Sequence, residues 1–574
     1  MRPRLLLVPV FLIALLAAGA GAQQAPSASG LESITEADLK QWLTYLASDE
    51  LQGRGTYTEG LGLAAGYIAS HLSQWGVKPA GDNGTYLQTV RVQSVRVDSR
   101  ASVTVDVNGL SRTFTDGEGI AFARQMGGRQ TVEGSDIMFV GYGLEIPAVE
   151  LDDYAEGSPR GKIVVYLGPQ GPSALPPGSN RLLSARGRNA IEKGAIAVIA
   201  PAFTGRAGRG SQPSTAAATS ATTGQRGGRG APAADGRGRG SGRGGPVDNG
   251  DFTTVQRYDA LATPQLTAQD EFFEFLFSGS DAGYAALKQK AANREPLPRF
   301  PLKNVKISIN VDAEYQVVRT QLTSNVVGII EGTDPTLKDT YVAYGAHYDH
   351  NGFRESAKPG EDMINNGADD DGSGTVAIMS IAKAYASGPK PKRSLLFVWH
   401  AGEERGLLGS RYMADNPVVG DIDRIVAQLN MDMVGRNQND DPSHANMVLV
   451  VGADRISTEL HNINEEANAS LAKPLTLDYT MNDPADPQSI YTRSDHYSYA
   501  SKGVPIVFYF TGLHPDYHRP SDTVDKIIFD KVRRIAQLAY ETGRRVANSD
   551  KAPAKDNLGP RAGKGFRGKL GSGR

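Results

Sequence analysis

The chain has 574 residues, a formal net charge of −2 and a hydrophobic fraction of 40%. That length exceeds what a single core usually serves, so more than one domain is expected. The near-neutral charge gives no general electrostatic case for nucleic acid. The absence of cysteine excludes disulfides, thiol nucleophiles and thiolate ligands.

Arg2 and Arg4 precede an apolar run from Leu5 to Ala18, and Ala20-Gly21-Ala22 fits a small-residue cleavage site. This is the pattern of a cleavable signal peptide over residues 1–22, and it implies a secreted or periplasmic protein. No later stretch reaches about 18 consecutive apolar residues, so no membrane association is expected after cleavage. Thr35 is placed to cap a helix whose first turn is acidic. Leu39, Trp42, Leu43 and Leu46 follow as a one-sided apolar stripe. A second helix is expected from Leu61 to Trp75, with Ile68 and Leu72 facing inward and His71 read as a packing residue.

From Gln88 to Phe122 the pattern alternates as strands do, and short strand-like runs recur at Ile137–Val140, Ile163–Tyr166 and Ala195–Ile199. This β-rich stretch reads as a separate domain. Thr204 to Gly250 is rich in Gly, Ala, Ser and Arg and cannot bury enough apolar surface to order itself. Its arginines lack interleaved aromatics, so it reads as a flexible loop, with no nucleic-acid partner. The stretch from Lys551 is similarly basic and glycine-containing.

From about Asn325 short apolar runs alternate with helical patterns: strands near Val326–Ile330, Tyr341–Gly345, Leu395–Trp399, Ile425–Leu429, Met447–Val451 and Val504–Phe510, and helices near 375–385, 407–414, 456–469 and 526–547. This is the signature of an α/β sheet covered on both faces. Sites in such folds lie beyond the carboxyl ends of the strands. His347 follows one strand; Glu403 and Glu404 follow another; Asp432 follows a third; His514 and His518 follow a fourth. Asp369, Asp370 and Asp371 open a helix. Histidines and carboxylates converging at one crevice suit zinc or a similar divalent ion. His347 and Asp349 are two apart on an extended segment, so Asp349 can accept from His347 and orient it. One of Glu403 and Glu404 can bind metal while its neighbour moves a proton.

The motifs GAHYDH, NNGADDDGSGT, HAGEERGLLGS, LNMDMVG and YHRPSDTVDKI, in that order, resemble peptidase family M28, the zinc aminopeptidase type. The resemblance covers Asn325 to Ala547 closely, and SDELQGRGTYTEGLGLAAGYIASHL resembles the N-terminal part of the same peptidases. FVGYG, DDY, GKIVV and KGAIAVI look like an inserted protease-associated (PA) domain. The implied fold is α/β, a mixed central sheet flanked by helices (the phosphorylase/hydrolase-like zinc exopeptidase fold) with a β-rich PA insertion. The implied divisions are 31–95 and 316–548 for the peptidase domain, 96–315 for the insertion with its loop 204–250, and 549–574 for a basic tail. The resemblance makes Asp370 the ligand bridging two zinc ions, with His347 and Asp432 on one and Glu404 and His518 on the other. It makes Glu403 the general base and acid, Asp349 the partner behind His347, and Tyr491 an oxyanion stabiliser. It implies a cis bond between Asp370 and Asp371. His350 and His514 are left as extras. The implied activity is that of an exported exopeptidase acting on peptides, most simply an aminopeptidase. A carboxypeptidase, which would bind substrate carboxylate through an arginine such as Arg319, Arg436 or Arg493, is the runner-up, and a non-catalytic receptor-like protein the least favoured.

Overall fold

The structure is a computed structural model and describes residues 30–146, 149–175, 178–202, 250–354, 360–557. The signal-like segment 1–22, nearly all of the Gly/Arg-rich loop and most of the basic C-terminal stretch lie outside the described residues.

Two ten-stranded sheets organise the described residues. In the first, the strands Ser394–His400, Tyr341–His347, Ile425–Met431 and Ile506–Phe510 run parallel in that spatial order. Antiparallel strands flank them, Ala313–Ile330 on one side and Met447–Val451 on the other. The sheet is therefore mixed, with a parallel centre. Its central strands are buried on both faces, which explains their continuous apolar runs. Side chains alternate strictly between two cores. Val342, Tyr344, Ala346, Leu395, Phe397 and Trp399 face one core, and Ala343, Leu396 and Val398 face the other.

The first core is closed by the helices Glu36–Leu46, Glu59–Gln74, Gly374–Ser387, Thr458–Ser470 and Phe529–Asn548. Thr35 caps the first of these, accepting from the Asp38 amide at 3.2 Å, and Leu39, Trp42, Leu43 and Leu46 are buried as the stripe requires. The second core is closed by Leu408–Asp415 and His496–Ala500.

The second sheet lies between residues 102 and 311 and surrounds its own core. Three of its strands, Ile137–Phe139, Ile163–Val165 and Ala197–Pro201, pair parallel to one another. One helix of this body spans Asn180–Glu192. A long antiparallel pair, Leu87–Ser99 with Ala313–Ile330, joins the two bodies. Only Val326–Ile330 of the second strand was legible as a buried run. Residues 314–322 are mostly exposed or half-exposed, so they carry no apolar signal.

Candidate metal centre

Three parallel strands deliver the site from their carboxyl ends. His347 is the last residue of its strand, Asp432 follows Met431, and Glu403 and Glu404 come three and four residues after His400. The acidic turn Ala368–Ser373 enters from the start of the helix Gly374–Ser387. A Cβ at Gly374 would meet the Met431 carbonyl and an Asp371 oxygen, each at 2.4 Å, so only glycine lets this helix start so close to the neighbouring strand. The Asp370–Asp371 peptide bond is cis.

Asp370 stands between two groups. Its Oδ1 lies 3.3 Å from His347 Nε2, which is 3.6 Å from Asp432 Oδ2. Its Oδ2 lies 3.1 Å from His518 Nε2, which is 3.2 Å from Glu404 Oε2. Two ligands about 2.1 Å from a tetrahedral ion stand about 3.4 Å apart, so both spacings suit a shared cation. Asp370 Oδ2 is also buried without a hydrogen-bond partner, as expected of an atom whose partner is an ion. With no cysteine in the chain, the donor set is imidazole and carboxylate, which suits zinc.

Asp371 also lies close to His347 and Asp432, but its carboxylate is already engaged. It accepts from the amides of His347 (3.2 Å), Gly374 (2.9 Å) and Met433 (3.1 Å). Asp371 holds the turn, and Asp370 is the free carboxylate. Asp369 accepts from the Gly435 amide at 2.7 Å and faces His514 Nε2 at 3.3 Å, so both lie behind the centre. Asp522 accepts from the amides of Asp369 and Asp370.

Asp349 sits behind His347 but in a different way from the sequence expectation. Its carboxylate is 3.8 Å from His347 Nδ1, too far to bond, whereas its main-chain carbonyl is 3.2 Å away. A carbonyl only accepts, so Nδ1 carries the proton and Nε2 is bare toward Asp370 and Asp432. The Asp349 carboxylate instead accepts from the Glu403 amide at 3.1 Å and Thr56 Oγ1 at 3.0 Å, and fixes the turn that carries Glu403.

Adjacent Glu403 and Glu404 are split electrostatically. Burial pushes the Glu403 carboxyl well above its usual range; Glu404, Asp432 and Asp495 push the same way while His347 opposes. Burial and Asp370 also push Glu404 up, but His350 and His518 outweigh them and bring it down to about 2. Asp370 follows the same logic: burial raises it, and His350, His347 and His518 hold it well below the carboxylate range. Glu403 therefore takes up a proton readily and Glu404 resists one.

Two further residues depart from the sequence reading. Tyr491 does not line the pocket shared by Asp370, Glu403 and Asp432. Its ring is covered by the Arg455 guanidinium at 3.8 Å and packs against His496 and Tyr497. Tyr517 lines that pocket instead, its ring stacked 3.8 Å from that of His518. The signal for Tyr517 was its place beside His518. His350, set aside as an extra, is buried with Nδ1 2.8 Å from Glu404 Oε1 and 3.7 Å from Asp370 Oδ2. The rest of the pocket is apolar, with Met433, Ile490, Phe508, Phe510 and Leu513, and Arg493 at its side. Of the other two candidate arginines, Arg436 is taken by Asp440 and Asp516 at 2.7 and 3.1 Å, and Arg319 does not line the pocket.

A profile of peptidase family M28 matches residues 325–543. A probable leucine aminopeptidase of Arthroderma benhamiae is 31% identical over 282 residues, which cover 44% of this chain and 71% of that protein. A probable leucine aminopeptidase of Arthroderma otae is 29% identical over 222 residues, 36% of this chain and 55% of that one. The chain thus spans little more than half the length of some of the curated relatives it matches. An aminopeptidase structure from Aneurinibacillus sp. strain AM-1 aligns over 92% of this chain and 97% of its own at 17% identity, with a TM-score of 0.43. A likeness at that score decides nothing about the chemistry of this chain.

Proposed function

This chain belongs to peptidase family M28, and from that premise we propose that it is a zinc-dependent aminopeptidase that removes N-terminal residues from peptides. The observation that carries the reading is the placement of Asp370 between two imidazole–carboxylate pairs. His347, Asp432 and Asp370 would hold one zinc ion, and His518, Glu404 and Asp370 would hold a second. When bound, such a pair supplies Lewis acidity, polarising a carbonyl and making water acidic near neutral pH.

The chain's own residues do the rest. Glu403, whose buried setting makes its carboxylate more basic, takes the proton of the attacking water and delivers it to the leaving amine. Burial raises the Tyr517 phenol well above its usual range, so it stays a hydrogen-bond donor, and we assign it the role of donating to the developing oxyanion. Asp349 fixes the backbone of Glu403 and, through its carbonyl, the ring of His347. The apolar wall of Met433, Ile490, Phe508, Phe510 and Leu513 suits an apolar side chain beside the scissile bond, in line with the leucine aminopeptidase names of the relatives.

The same reading takes the body between residues 102 and 311 as the PA-like insertion and the chain as exported. It is supported by the separate core of that body and by the signal pattern at residues 1–22. No described helix is long and apolar enough to cross a membrane. The carboxypeptidase alternative draws on one observation, Arg493 in the pocket. Hydrolysis of leucyl peptides with free and acetylated N-termini separates the two. Cleavage confined to the free amines supports an aminopeptidase; cleavage of the acetylated peptides with release of their C-terminal residue supports the alternative.

A further inference from the structure

Residues 485–497 carry Ile490, Arg493 and Ser494 into the catalytic pocket, and the second body holds this segment at both ends. At one end Ala485 packs against the core of that body. The neighbouring Asp486 is buried and accepts from the amides of Gln488 at 3.0 Å and Ile490 at 2.9 Å, which fixes the turn that presents Ile490. At the other end the Tyr497 hydroxyl donates at 2.7 Å to Glu192, the last residue of the helix Asn180–Glu192. The Arg188 guanidinium, one turn earlier on that helix, lies 5.5 Å from the centre of the Tyr497 ring.

From Tyr497 a column of rings leads to the pocket wall. Tyr497 meets Tyr491 edge-on with centroids 5.8 Å apart, and Tyr491 lies 5.9 Å from His496. His496 stacks on Phe508 at 4.2 Å, and Phe508 stacks on Phe510 at 5.6 Å. Phe508 and Phe510 line the pocket. The middle of the column is clamped: the Arg455 guanidinium covers Tyr491 at 3.8 Å, and His496 Nε2 donates to the Tyr491 carbonyl at 2.8 Å. Close-packed side chains pass a displacement on to their neighbours. The outer end differs, because Tyr497 is half-buried and Glu192 is exposed. A phenol bonded to a carboxylate is a charge-assisted contact. This one takes no part in the hydrolysis, yet it crosses from one body to the other where the column ends.

We propose that Glu192 and Tyr497 form a latch through which the second body positions the wall of the catalytic pocket, so that the choice of N-terminal side chain depends on both bodies. Both are positioning residues, and neither touches the substrate. The inference rests on the aminopeptidase reading and deepens it: the latch keeps the apolar wall in register with a long aliphatic side chain such as that of leucine. A side chain as short as that of alanine does not reach the wall and does not sense the latch.

The test measures kcat and KM for leucyl- and alanyl-para-nitroanilide in the unaltered protein and in latch variants of matched zinc content. Glu192→Ala and Tyr497→Phe should each lower the leucyl-to-alanyl ratio of kcat/KM by about threefold to tenfold, the worth of one hydrogen bond. The loss should lie in a higher KM for the leucyl substrate at unchanged kcat. Glu192→Gln keeps an acceptor oxygen and should retain most of the ratio. Combining Glu192→Ala with Tyr497→Phe should be no worse than either alone, since both remove the same contact. Should Tyr497→Phe fold poorly, Glu192→Ala decides, because Glu192 is exposed and lies on the other body. An unchanged ratio in Glu192→Ala, or an equal loss on both substrates, would overturn the inference and leave the aminopeptidase reading intact. Absence of cleavage of either substrate by the unaltered protein would remove that reading and the inference with it.

Discussion

Asp370 Oδ2 and His518 Nε2 lie 3.1 Å apart, although 148 positions separate them in the chain, and this oxygen has no hydrogen-bond partner. The other oxygen of the same carboxylate faces His347. One side chain thus stands between the two imidazole–carboxylate pairs.

Replacing Glu403 with Gln keeps the shape of the turn and removes the proton acceptor. Metal content should be unchanged, and turnover should fall by about 10²- to 10⁴-fold. Elemental analysis and steady-state kinetics on one preparation check both statements. Near-native turnover would take the proton-transfer role away from Glu403.

Tyr517 lines the pocket and Tyr491 does not, and their phenylalanine variants distinguish which of them serves the oxyanion. Tyr517→Phe should lower kcat by about 10²-fold, the usual loss for one oxyanion donor, with thermal stability little altered. Tyr491→Phe keeps the ring beneath Arg455 and should leave kcat within about twofold. The reverse order of effects would return the role to Tyr491.

Asp349 accepts from Thr56 and the Glu403 amide while its carbonyl orients His347. Asp349→Asn preserves volume but replaces an acceptor oxygen by a donor next to the Glu403 amide or Thr56. A loss of about 10- to 100-fold in zinc affinity is expected, in line with other residues behind metal ligands. Competition with a chelator of known affinity measures it, and an unchanged affinity would confine Asp349 to shaping the turn.

His496 offers a pH test away from the metal ligands. It is fully buried, donates to the Tyr491 carbonyl at 2.8 Å and stacks on Phe508 at 4.2 Å. Burial pushes its pKa down to about 3, against about 6.5 unfolded. A depressed histidine contributes stability fully present above pH 6.5 and lost progressively as pH falls toward 3. At pH 5 the loss is about 2 kcal/mol. Denaturant unfolding at pH 7 and pH 5 should show this difference shrinking by that amount in His496→Phe. An equal pH dependence in both proteins would mean that His496 charges without cost.

Much of the α/β sheet was legible because its central strands are buried on both faces, and the runs around Tyr344, Phe397 and Leu429 could not be read otherwise. The candidate residues His347, Glu404, Asp432 and His518 stood out because each ends or follows such a run, and Asp370 because it opens a helix. What escaped depends on side-chain direction. Asp349 was expected to use its carboxylate on His347, but the turn aims it at Glu403. Tyr491 follows a plausible motif, yet Arg455 holds its ring elsewhere. His350 looked surplus until folding set it against Glu404. The long strand through residues 314–322 went unread because its side chains are largely solvated.

The most direct test of the centre is the zinc content of the purified unaltered protein and of Asp370→Ala, measured by elemental analysis after dialysis against metal-free buffer. Two ions per chain in the former and nearly none in the latter are expected, because both half-sites lose a ligand at once. An Asp370→Ala protein that retains its full zinc load would show that Asp370 does not join the two halves.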